Sequence, residues 1–68
     1  MTTWQEVERN WTRFKPKFRA QWPRLTELDR IDGHRVFLAR SLESEYELTH
    51  REAEREIDAF LKTLDPVR

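Results

Sequence analysis

The sequence predicts an all-α protein, a small three- to four-helix bundle, on three observations. Between Trp4 and Leu25 the large apolar residues fall at Trp4, Val7, Trp11, Phe14, Phe18 and Trp22, at intervals of three and four. That spacing traces one face of a helix, written almost entirely in aromatics. Two capping-box patterns, Thr3-Trp4-Gln5-Glu6 and Thr49-His50-Arg51-Glu52, mark helix starts. No strand alternation, internal repeat or low-complexity tract is visible.

The chain of 68 residues suits a single domain over 1–68, near the lower limit at which a core holds a fold alone. With no cysteine, neither a disulfide nor a thiolate metal site can act as a staple. Eight aromatics compensate, because each buries about 150–250 Å². Residues 1–15 lack the apolar run of a signal peptide and include Glu6, Glu8 and Arg9. The longest apolar run is four residues, Val36 to Ala39, so no membrane span is expected. The expectation is a soluble, cytoplasmic protein.

Along the chain, Thr3 caps a helix beginning near Trp4, and Glu6 reaches back to complete its box. Pro16 interrupts that helix by removing an amide donor and clashing with the carbonyl of Thr12. Either one helix is kinked there, or residues 1–10 form a loose N-terminal arm ahead of a short helix from Pro16 to Trp22. The split is preferred, because an isolated first half is too short to be stable. Trp22-Pro23 closes the element. Thr26 is the expected cap of a short helix with Leu28 and Ile31 inward. Gly33, the only glycine, either terminates that helix or admits a close helix approach. A longer helix is expected from about His34 to Tyr46, with Leu38, Leu42 and Tyr46 at a spacing of four and Phe37 beside them. The last helix starts at Thr49, carries Ala53, Ile57, Phe60, Leu61 and Leu64 on one side, and stops at Asp65-Pro66.

The net charge of zero hides an asymmetry. Residues 9–26 hold six bases and no acid, while residues 27–68 hold seven bases and eleven acids. Arg9, Arg13, Lys15, Lys17, Arg19 and Arg24 are therefore the candidate polyanion-binding residues. Glu43, Glu45 and Glu47 crowd a helix C-terminus, the wrong end for negative charge. The basic segment is their expected partner, which weakens the case for an external polyanion.

The ordered set Trp11-x-x-Phe14-Lys15-x-Lys17-x-Arg19-x-x-Trp22-x-x-Leu25-Thr26-x-x-Asp29, then Gly33, Leu38, Leu42, Tyr46 and Glu52-Ala53-Glu54, resembles the CsbD-like family of small bacterial stress-response proteins. The likeness spans residues 10–61. It implies a small helical bundle associated with general stress, with no established biochemical activity and no catalytic residue to carry over. The chain departs from the family at Pro16, Pro23 and Glu47, where glycine is usual. Glu47 speaks against a left-handed end to the third helix, a conformation that costs a residue with a side chain about 1–2 kcal/mol.

Other chemistries have little support. His50 and Glu54, four apart on one helix, share a face, but two ligands without a third make a weak metal site. One glycine cannot build a nucleophile elbow or a phosphate loop around Ser41 or Ser44. No catalytic residue, metal or cofactor is assigned, and an enzyme is not expected. The leading expectation is a non-catalytic helical stress protein acting through surface association with a protein partner or through general protection, as a monomer or weak homo-oligomer. The alternative is nonspecific single-stranded nucleic-acid binding through residues 9–24, with rings stacking and bases neutralising the backbone. Surface association with a membrane is less favoured, because the acidic remainder opposes anionic lipid.

Overall fold

The structure is a computed structural model and describes residues 2–64. The expected stop at Asp65-Pro66 lies outside the described residues. Within them the fold is all-helical, with α1 Trp4–Arg9, α2 Trp11–Gln21, α3 Leu28–Ile31, α4 Arg35–Tyr46 and α5 His50–Thr63. The described residues thus hold five helices rather than three or four.

The additional helix comes from Asn10, and here the structure corrects the sequence expectation. The break in the aromatic stretch is at Asn10, not at Pro16. The Asn10 amide donates to the carbonyls of Glu6 and Val7, and its carbonyl accepts from Arg13 and Phe14. Its side-chain Nδ2 adds a 2.9 Å bond to the Glu6 carbonyl. One residue thereby closes α1 and opens α2, the competition with helical backbone that short polar side chains supply. Pro16 sits inside an unbroken α2. Both Pro16 and Thr12 are exposed, and the solvent side of a helix is where a missing amide donor is best tolerated.

The expected loose arm is instead ordered and packed. The Thr2 hydroxyl is buried and donates to the Leu64 carbonyl at 3.0 Å, tying the start of the chain to the end of α5. The Trp4 indole donates to the Gly33 carbonyl at 3.0 Å. Val7 is fully buried. Only half of the Thr3 capping box forms. Thr3 accepts from the Glu6 amide, whereas Glu6 Oε2 is buried with no hydrogen-bond partner among the described residues.

Gly33 serves both purposes the sequence left open. It follows Asp32, which ends α3 in the left-handed region at φ 44°, and is itself left-handed at φ 80°. A Cβ at Gly33 would lie 3.1 Å from Glu8 Cα and 3.3 Å from the Glu8 carbonyl oxygen, so α1 crosses directly over it. The cap of α3 is Glu27 rather than Thr26, with no side-chain cap bond. His34 is the N-cap of α4. The Thr49 box is complete: Thr49 Oγ1 accepts from the Glu52 amide at 3.1 Å, and the Thr49 amide donates to Glu52 Oε1 at 2.9 Å.

The core gathers Val7, Trp11, Phe14, Phe18 and Trp22 with Leu25, Leu28, Ile31, Leu38, Leu42, Ile57 and Leu61. Phe18 is its hub. The Phe18 ring lies 5.1 Å from Trp11, 5.9 Å from Trp22, 5.0 Å from Phe60 and 6.1 Å from Trp4. Such tilted, edge-on and stacked pairs each add about 0.5–1.5 kcal/mol beyond burial. Phe37, beside the Leu38, Leu42 and Tyr46 row in sequence, is 46% exposed, next to Val36 at 59%. Glu47 departs from expectation, because it ends α4 left-handed at φ 53° without being glycine.

Three substitutions test these corrections. Trp22→Ala should cost about 3–5 kcal/mol in denaturant unfolding, and Trp4→Ala at least about 2 kcal/mol because it loses packing and a bond to Gly33. A near-neutral Trp4→Ala would restore the loose arm. Glu47→Gly should raise stability by about 0.5–1 kcal/mol by relieving the left-handed strain. A loss instead would contradict the left-handed end of α4.

Candidate functional site

α2 divides its residues by period. Trp11, Phe14 and Phe18 are buried, while Arg13, Lys17 and Arg19 lie on its exposed surface. The Trp11 indole also donates to the Leu28 carbonyl at 3.0 Å, which fixes its ring edge to α3. The rings that the single-strand reading needed for stacking are therefore part of the core.

The six candidate bases do not form one patch. Half-buried Lys15 pairs with Asp29 of α3. That hydrogen bond, reinforced by the charge of Lys15 and more weakly by Arg19, holds the Asp29 carboxyl below its ordinary pKa. Arg24 turns to the end of α4. Its guanidinium carbon is 5.6 Å from the Tyr46 ring centroid, and its amide donates to the Tyr46 hydroxyl at 3.2 Å. Arg9, Arg13 and Lys17 are exposed and make no ion pair among the described residues. Arg13 and Lys17, four apart on α2, are separated by about 6 Å along the axis. Glu8 and Asp32 share a surface depression with Arg9 and Arg13.

The expected pairing of the α4 glutamates with the basic segment does not occur. Glu43 Oε2 meets His50 Nδ1 at 3.2 Å, across the turn into α5. Glu45 and Glu47 make no ion pair among the described residues, and the last turn of α4 holds no base. Among the described residues the two charged regions form no ion pair with each other.

A network that sequence reasoning missed centres on Arg35. Its guanidinium bonds Glu54 at 2.9 and 2.6 Å and Asp58 at 2.7 Å. Its carbon also lies 5.8 Å from the Trp4 ring centroid. The signal was the pair Glu54 and Asp58, acids four apart on the face of α5 that meets α4, with nothing in the sequence to name their partner. This network also bears on the His50–Glu54 pair. His50 Nε2 is 3.9 Å from Glu54, but its two nitrogens face different carboxylates and Arg35 engages Glu54. Among the described residues no group of three ligating side chains could hold a metal ion.

Between α3 and α4 runs a surface groove lined by Glu27, Arg30, Ile31, Phe37, Arg40 and Ser41. It adjoins a more polar depression that includes Thr26, Ser44 and Glu45. Among the described residues no histidine lines either depression beside Ser41 and Ser44. No helix among the described residues is long and apolar enough to cross a membrane.

Fold and surface together define a small all-α protein with an aromatic core and a shell of both charges. No protein-family model matches the chain, and no solved structure gives a significant match. Curated relatives do. The UPF0337 protein NE2439 of Nitrosomonas europaea is 39% identical over 70 aligned positions, spanning 100% of this chain and 74% of that protein. The UPF0337 protein YjbJ of Escherichia coli is 36% identical over 62 positions, 88% of this chain and 90% of that one. The UPF0337 protein RPA4217 of Rhodopseudomonas palustris is 33% identical over 63, covering 90% and 96%. The chain belongs to the UPF0337 family, which is the CsbD-like family.

Proposed function

We propose that this protein is a non-catalytic helical stress-response protein that acts through its surface, by associating with other proteins or by general protection. One observation carries the reading. The aromatic side of the 4–25 stretch is buried, so a partner meets a charged shell whose exposed large apolar side chains, among the described residues, are Val36 and Phe37. Membership of a family that resembles stress-response proteins supports the same view. Adjacent exposed apolar residues rimmed by charge suit a contact with another protein better than a reaction centre.

The single-stranded nucleic-acid alternative is less well supported. Its stacking component calls for exposed rings at Trp11, Phe14, Phe18 and Trp22, and these are core residues. What remains of it is the phosphate-neutralising component, supplied by the exposed bases.

The test is functional. Added to a heat-labile protein, the wild-type chain should delay its aggregation, or it should retain a reproducible partner from extracts of stressed cells. Phe37→Ser should weaken either effect while leaving the helical signal intact. A strictly monomeric chain with no partner, no protective effect and no response to Phe37→Ser would count decisively against the proposal.

A further inference from the structure

The exposed bases of α1 and α2 carry an inference that goes beyond protein association and does not depend on it. We propose that the outer face of the aromatic helix is a phosphate-backbone site. Arg9, Arg13 and Lys17 form a short cationic row that docks on duplex nucleic acid without reading its bases.

The row is available. Lys15 is taken by Asp29 and Arg24 rests on Tyr46, whereas these three side chains have no ionic partner among the described residues. From residue 9 to residue 26 the chain contains no acid. The row is also rigid. α2 runs unbroken through Pro16, so Arg13 and Lys17 are held about one helical turn apart, near 6 Å, on a surface anchored by buried aromatics. A row of fixed backbone spacing suits a duplex strand, itself a regular row of phosphates, and leaves only its side chains to be ordered on binding.

The same geometry sets the kind of nucleic acid. Single-strand binders combine a cationic groove with exposed rings on which bases stack. Here the rings of α2 point into the core, so a flexible single strand gains nothing beyond its phosphates and still loses freedom. Preference moves to the duplex, the reverse of the single-stranded reading of residues 9–24. The zero net charge does not cancel the row, because exposed charges are screened over about 8 Å at physiological ionic strength. Glu8 and Asp32 share a depression with both Arg9 and Arg13. Lys17 lies outside it and is the least offset of the three.

Fluorescence anisotropy with a labelled DNA duplex of about 20 base pairs, at about 50 and 200 mM salt, tests this. Three phosphate contacts give a slope of log affinity against log salt near −2.7, a loss of about 40-fold between those concentrations. Arg13→Ala or Lys17→Ala should each reduce the slope by about one, and Arg13→Lys should retain it. The single strand of the same sequence should bind no more tightly, with tryptophan emission unchanged. The proposal is overturned by no duplex binding at the lower salt, or by a double Arg13→Ala, Lys17→Ala variant that binds as well as wild type. It is equally overturned by tighter single-strand binding with altered tryptophan emission. Affinity for anionic phosphatidylglycerol vesicles exceeding that for the duplex would assign the row to lipid. Salt-sensitive self-association of the protein alone, without duplex binding, would assign it to a second copy.

Discussion

The structure depends on the packing around Phe18. This ring is completely buried and meets Trp11, Trp22, Phe60 and Trp4, so one side chain of α2 is in aromatic contact with α1, α5 and its own helix on both sides. A short chain without disulfides has few other ways to hold its elements together. Much of the remaining architecture follows. With Phe18 at the centre, α1 must fold back over α2 so that Trp4 reaches it, and that return requires a tight turn, which Asn10 supplies. The crossing of α1 then brings its backbone against residue 33, where a Cβ would crowd the Glu8 backbone.

Much of this was legible in the residues. The three-and-four spacing of the aromatics identifies α2 and its buried face, and the Thr49 box marks the start of α5 to the residue. Other features were not legible, for identifiable physical reasons. Proline is the stronger helix breaker by local rules, so Pro16 drew the break that belongs to Asn10. The break is decided instead by tertiary contacts of Trp4, Val7 and Thr2, which hold α1 as a helix too short to persist alone. Glu47 takes a left-handed conformation because the turn from α4 to α5 must close quickly. Local strain there is offset by packing of α4 on α5 and by the completed Thr49 box.

The surface was less legible than the core, because it depends on which charges meet. The sequence separates a basic segment from an acidic one, and simple electrostatics pairs them. Among the described residues Asp29 alone of the acids forms an ion pair with the candidate bases of residues 9–24, while Arg35 is drawn to Glu54 and Asp58 and His50 to Glu43. The outcome is a bipolar shell. A row of bases lies over the aromatic core, and glutamates lie at the end of α4. Each side of α2 has its own role, with rings supporting the fold and cations facing outward.

The division of α2 into a buried aromatic side and an exposed basic side is the central claim, and acrylamide quenching of the native tryptophans tests it most directly. Trp11 and Trp22 are almost wholly buried and Trp4 is half-buried. Emission of the native protein should therefore be blue-shifted and weakly quenched, and unfolding in denaturant should raise the quenching constant several-fold. Native emission as red and as readily quenched as that of the unfolded chain would place the rings in solvent and contradict the account.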